Sequence, residues 1–169
     1  MSTNQQLMEK TTEKAQATMP VSELLFSEDI HLTGLTEYGV SWEKLTTGQA
    51  ILPPEGARFD IAFEGTLAGD KIKGTIAGVD HLTVRADGRF QLDMQALITT
   101  DNGEKIAVHE DGLLVAPDPD DESRIAQLRL NLEFTTIAPK YTWINHVQGW
   151  GRDTVDWNTG QVEMQVYAA

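Results

Sequence analysis

From Leu24 onward, apolar and polar residues alternate in short runs separated by turn residues. In Arg89–Thr99, Phe90, Leu92, Met94, Ala96 and Ile98 fall on one face and Gln91, Asp93, Gln95 and Thr99 on the other. A period of two is that of a strand with one apolar side. Ile125–Thr136 repeats it, with Leu128, Leu130, Leu132 and Phe134 against Gln127, Arg129, Asn131 and Glu133. So does the last run, Val162, Met164 and Val166 against Gln161, Glu163 and Gln165. The pairs Asp87-Gly88, Asn102-Gly103 and Thr159-Gly160 supply the positive-φ positions that tight hairpins need. Further strands are predicted at Leu24–Leu32, Gly48–Leu52, Arg58–Phe63, Lys71–Ile76, Asp80–Arg85, Lys105–Val115 and Tyr141–Arg152. The total is roughly eight to ten, at the spacing of barrels and sandwiches. The expected fold is all-β, a single closed antiparallel β-barrel over residues 21–169, since closure leaves no exposed edge. An open two-sheet sandwich carries the same periodicity. Residues 1–20 are polar and read as an N-terminal arm, flexible or a short helix, without the apolar run of a signal peptide.

A chain of 169 residues with 40% apolar content suffices for one core. Acidic residues outnumber basic ones, 26 against 13, and the net charge of −13 repels phosphate backbones and anionic membrane surfaces. Neither nucleic acid nor a membrane is therefore expected as a partner, no apolar stretch approaches the roughly 18 residues of a membrane helix, and a cytoplasmic location is the default. The absence of cysteine removes disulfides and thiol chemistry.

There is no P-loop, GxSxG elbow, HExxH or GxGxxG motif, and no cofactor is assigned. His31, His81, His109 and His146 lie in four different predicted strands or strand ends without short spacing. Each reads as a surface or hydrogen-bonded structural histidine, the alternative being a zinc or iron site assembled from several strands. No metal is assigned. The acidic loop Pro117–Ser123 reads as a solvated turn, because it lacks the DxDxDG spacing of a calcium loop.

Two groups of residues are candidates for chemistry. Asp93, flanked by Gln91 and Gln95, is a carboxylate in mid-strand, where acids are depleted. If its face lined a lumen, lost hydration would raise its pKa and suit it to proton transfer. If the apolar face points inward, Asp93 is merely solvated. In Tyr141–Trp150, period two places Tyr141, Trp143 and Asn145 on one face and His146, Gln148 and Trp150 on the other. Aromatics interleaved with amide and imidazole groups suit an amphipathic small molecule, although any one tryptophan could equally fill the core.

The run Gly74–Asp93, with its Gly78-Val-Asp80 turn into a strand, Asp87-Gly88 and Leu92-Asp93, continues to Ile98-Thr-Thr-Asp-Asn-Gly103. Together with Thr135-Thr-Ile-Ala-Pro-Lys-Tyr-Thr-Trp-Ile-Asn145, it resembles the family catalogued as domain of unknown function 3237. The resemblance covers most of Leu24–Ala169 and implies a compact β-barrel, with Asp80, Asp93, Thr136, Tyr141, Trp143 and Asn145 at the motif positions. Many relatives carry arginine where this chain has Gln95, so a charged partner for Asp93 is missing.

Two functions are consistent with these features. One is a cofactor-independent enzyme of lyase, hydratase, isomerase or cyclase type, acting by acid/base chemistry on a largely apolar substrate in the lumen. Asp93 transfers the proton, Asp80 or His109 is the second titrating group, Gln95 and Asn145 orient substrate oxygens, and Tyr141 and Trp143 form the apolar wall. The other is a lipocalin-like binding barrel in which Phe90, Leu92, Met94, Leu130 and Leu132 line the lumen. The two demand opposite strand facings. A third reading is a structural barrel that self-associates into a homo-oligomer.

Overall fold

A computed structural model describes residues 22–169, so the arm assigned to residues 1–20 lies outside the described residues. Eight strands run β1 (Glu23–Glu37), β2 (Ala57–Ala68), β3 (Lys73–Val84), β4 (Phe90–Thr100), β5 (Lys105–Val115), β6 (Ile125–Thr135), β7 (Gln148–Asp156) and β8 (Gln161–Ala168). Each pairs antiparallel with its chain neighbours, and β8 returns to β1 to close an up-and-down barrel. The closed barrel expected from the alternation is the fold observed.

Three local expectations are corrected. The stretches Lys71–Ile76 and Asp80–Arg85 form one strand, β3, because Gly78 is extended and lies under Phe63 and the Gln95 carbonyl, where a Cβ would collide with both. Gly48–Leu52 is not a strand. It follows the short helix α1 (Trp42–Thr46), capped by Ser41, and the Gln49 and Ala50 amides bond back to the Lys44 carbonyl. Finally, Tyr141–Arg152 begins with a 3₁₀ helix (Thr142–His146) and becomes β7 only at Gln148.

The end of the barrel where β1 finishes is called the upper end below. Here α1 lays Trp42 against Phe59, Phe90 and Trp157, with ring centroids 5.0–6.2 Å apart. At the lower end the 3₁₀ helix buries Ile144 in the core and Tyr141, just before it, is buried too, in one core cluster with the Phe26–Phe134 edge-to-face pair. Leu132, fully enclosed, belongs to the inward row of β6. Leu132→Ala is expected to destabilise the protein by about 3 kcal/mol, the usual scale for emptying a packed leucine site, as read by urea denaturation.

Candidate functional site

The inward face of the barrel is apolar, but not entirely. Along β5 the buried positions are Ile106, Val108, Glu110 and Leu114, so Glu110, 1% exposed, stands inside among aliphatics. Asp80 occupies the same parity on β3 at 7% exposure, and Glu28 on β1 at 4%. Asp153 has inward parity on β7, between Gly151 and Val155, and is half-buried. Four carboxyls thus point inward from alternate strands.

Strand register sets their relative heights. Ile61, Asp80, Met94, Glu110 and Leu132 are successive cross-strand neighbours around the wall. Asp80 and Glu110 therefore flank Met94 from two strands apart, about 10 Å between backbones at the usual strand spacing. Glu28 lies beside Met164 and Leu67 on the opposite arc.

Dehydration dominates their electrostatics. Burial raises the Asp80 carboxyl to about 7, helped by the Asp93 charge and opposed by the hydrogen bond from the Asp93 backbone N–H. Glu110 is raised to about 8, first by burial and then by the charge of Asp80. Glu28 is pushed well above the usual carboxylate range by burial, then by Glu110 and Asp153. Burial also raises Asp153, against a hydrogen bond from the Gln165 N–H. Both Glu28 oxygens and Glu110 Oε2 have no hydrogen-bond partner among the described residues. An unpaired buried polar group costs about 1–3 kcal/mol, so acids placed this way need protonation, solvent or a ligand to satisfy them.

Two of these acids also replace backbone acceptors in the wall. The β3–β4 pairing stops after Asp80↔Met94 and resumes in the same register at Thr83↔Gln91. Within the gap the Asp93 N–H donates to Asp80 Oδ1 at 3.1 Å. The β7–β8 pairing is interrupted alike between Gly151↔Val166 and Thr154↔Glu163, and there the Gln165 N–H donates to the Asp153 carboxylate.

Asp80 and Glu110 share a cavity of about 70 Å³ with Met94, Leu92, Leu130 and Met164, capped by Trp42 and Trp157. A vestibule of about 240 Å³ adjoins it and shares Leu32, Ile61, Trp42 and Trp157 with it. The vestibule lies beyond the His31↔Gln161 pair, where β1 leaves β8 and continues on β2 alone. Together the two spaces reach the lower end of the range of about 300–1,000 Å³ typical of small-molecule sites.

The residues expected from sequence separate into three places. Asp80 is in the lumen. Asp93, Gln95 and His109 are on the outer face: inward parity on β4 falls on Leu92 and Met94 and on β5 on Val108 and Glu110, which turns their neighbours outward. The Asp93 side chain is 56% exposed and pairs with His109 Nε2 at 2.9 Å. Tyr141, Trp143 and Asn145 are at the lower end, away from the cavity. Tyr141 is core, and Trp143 is half-buried beneath Lys71. Asn145 is a staple, its Oδ1 accepting from the Thr136 N–H and its Nδ2 donating to the Thr136 carbonyl, both at 2.8 Å. Glu110, Glu28 and Asp153 were not singled out, although an acid in an otherwise apolar period-two row marks each of the first two.

The histidines do not converge. His31 faces Glu64, and His81 Nδ1 lies 2.9 Å from Asp60, while His146 sits in the 3₁₀ helix. Asp60 is lowered to about 2 by the Tyr38 hydroxyl, His81 and Arg58 around it. In the 117–123 loop, the Asp118 and Asp121 carboxylates accept backbone amides of Asp120 and Ser123.

Fold and site together define a small closed barrel with titratable acids in an apolar lumen. The chain belongs to the family described as "Protein of unknown function (DUF3237)", which matches residues 44–169. A hydroalkoxylation enzyme of Penicillium herquei is 34% identical over 88 residues, 52% of this chain and 50% of that protein. The chain spans only 50% and 60% of the lengths of the curated relatives it matches. A crystal structure of a β-barrel-like protein from Acinetobacter baumannii shares the fold with a TM-score of 0.71 at 23% identity, over 90% of this chain and 99% of that one. A crystal structure of an enzyme from Penicillium herquei gives 0.59 at 24% identity, over 90% and 98%. Among the described residues no helix is long and apolar enough to cross a membrane.

Two measurements check this site. A carboxyl whose pKa is raised on folding adds stability that is complete below its unfolded value and is lost as pH rises through the folded value. From Asp80 and Glu110, stability to urea is expected to fall between about pH 4 and about pH 8, and Asp80→Asn with Glu110→Gln should flatten that slope. Asp60 acts oppositely and at lower pH, its contribution disappearing as pH falls toward about 2. Asn145→Ala, which removes two hydrogen bonds, is expected to lower stability by about 1–3 kcal/mol without changing ligand binding in the lumen, as read by calorimetry and thermal shift.

Proposed function

We propose that the barrel is an enzyme of acid/base chemistry on a largely apolar small molecule, with Asp80 and Glu110 as the proton-transfer pair. The observation that carries the reading is the placement of two buried carboxyls in one apolar cavity, where loss of hydration raises both above the usual carboxylate range. Glu110, the more deeply enclosed of the two and with Oε2 unpartnered among the described residues, serves as the acid, while Asp80, whose charged form is favoured by the hydrogen bond from the Asp93 N–H, serves as the base. Environments that separate the pKa values of two neighbouring groups are how one site holds both roles. Leu92, Met94, Leu130 and Met164 position the substrate by shape and exclude water, and Trp42 and Trp157 close over it.

The Penicillium relative supports the reaction class. Hydroalkoxylation adds an alcohol O–H across a carbon–carbon double bond. It needs one group to deliver a proton to carbon and another to accept the hydroxyl proton, and no electrons are exchanged. A pair of carboxyls on one wall meets that requirement, as it would for related hydrations, eliminations and cyclisations.

The lipocalin-like carrier is supported by one observation, the apolar inward face of β4 and β6 with Asp93 in solvent. A pure carrier has no use for enclosed, unpaired acids, which weaken binding of apolar ligands. The two readings separate in a thermal-shift screen of aromatic, terpenoid and fatty-acid-like compounds followed by product analysis. A ligand at a hundred times its dissociation constant adds about 2.7 kcal/mol, raising the melting temperature by roughly 5–11 °C for a chain of this size. The enzyme converts such a ligand, and Asp80→Asn or Glu110→Gln slows conversion by about 10²–10⁴-fold while still binding it. Asp93→Asn leaves conversion largely intact. A ligand recovered unchanged identifies the carrier.

A further inference from the structure

The outer surface carries a further concavity. It crosses β4 to β7, is lined by Arg89, Leu113, Arg129, Asn131, Trp150 and Arg152, and encloses about 520 Å³. In a chain with 13 basic residues and a net charge of −13, three arginines in one groove are a marked concentration. Arg129 and Arg152 stand directly opposite each other across β6 and β7, where like charges are destabilising. Among the described residues none of the three lies within ion-pair distance of a carboxylate, although Asp111 is on the groove wall. Arg129 donates only to neutral oxygens, the Leu128 carbonyl and Gln127 Oε1. Trp150, 51% exposed, lies beside them.

Just above the groove, the loop joining β5 to β6 presents Asp118, Asp120, Asp121 and Glu122, all exposed and without ion pairs among the described residues. Val115 and Ile125, exposed apolar residues, flank it. One face thus bears an unpaired basic groove and an unpaired acidic loop side by side. Such a patch is complementary to itself after a half-turn, as a two-fold interface requires. Tryptophan and arginine are also the residues most enriched at the energetic centres of interfaces.

We propose that a second copy of this chain docks on this face, the acidic 118–122 loop of each copy entering the arginine groove of the other about a two-fold axis. Trp150 and Leu113 provide the apolar contact and Arg89, Arg129 and Arg152 receive the carboxylates. The proposal is independent of the lumen chemistry.

Sedimentation velocity and light scattering on the full chain test it. The expected result is twice the chain mass of 18.7 kDa at low salt, shifting toward monomer in high salt. Arg152→Glu and Asp120→Arg, both at exposed side chains, should each weaken association at least about tenfold, and the two together should restore it. Circular dichroism confirms that the variants fold, and Arg89→Glu replaces Arg152→Glu if that variant does not. A chain that stays monomeric at high micromolar concentration overturns the proposal. So does a dimer indifferent to both reversals, or a double variant that fails to recover. A monomer stabilised instead by small aromatic carboxylates, with the effect lost in Arg152→Glu, assigns the groove to a small anion and also overturns it.

Discussion

Closure of the sheet through the β1–β8 ladder is the constraint on which the interior chemistry depends. An open sheet would leave one flank of the inward face to solvent, and Glu28 on the closing strand would be an ordinary surface acid. Closure encloses it between Met164 and Leu67 and leaves Asp80 and Glu110 with apolar neighbours. Removed from water, a carboxyl prefers to keep its proton. The elevated affinities for protons follow from topology before any specific contact is considered.

Much of this was legible from the alternation. On β6 and β8 one face is wholly apolar, and on β4 it is so as far as Thr100, so the two faces of each strand could be told apart while the one lining the lumen could not. That parity left Asp93 with two places, in the lumen as the proton-transfer group or merely solvated, and the structure turns it outward, where the half-buried strand rule puts polar residues. The acids that matter were harder to see because they break the apolar row instead of standing opposite it. Phe26, Glu28, Ile30 and Ile106, Val108, Glu110 show the signature, as does Asp80 before Leu82 and Val84. Judged one residue at a time they look like noise in a period of two. The lower end was misread for another reason: Tyr141–His146 alternates acceptably as a strand, but Asn145 finds its partners in the Thr136 backbone, which winds the segment into a 3₁₀ turn.

The family motif also gains a physical content. Asp80 and Asp93 belong together through a side chain and a backbone amide, not through two carboxylates. Thr136 and Asn145 belong together as a loop staple. Of the motif positions only Asp80 faces the cavity, so the resemblance identifies the architecture better than the reaction. The interrupted ladders at Asp80 and Asp153 tie the wall to the interior, since a change in the charge of either acid alters an acceptor on which the sheet itself relies.

The aromatic cap over the cavity bears on access. Trp42 belongs to a five-residue helix with no buried residue of its own, and it is held by contacts with Phe59, Phe90 and Trp157. The vestibule and the cavity meet at these rings, since Trp42 and Trp157 line both. On this geometry the passage between the two spaces would widen by a shift of the small helix and its aromatic contacts, with the eight-stranded wall left closed.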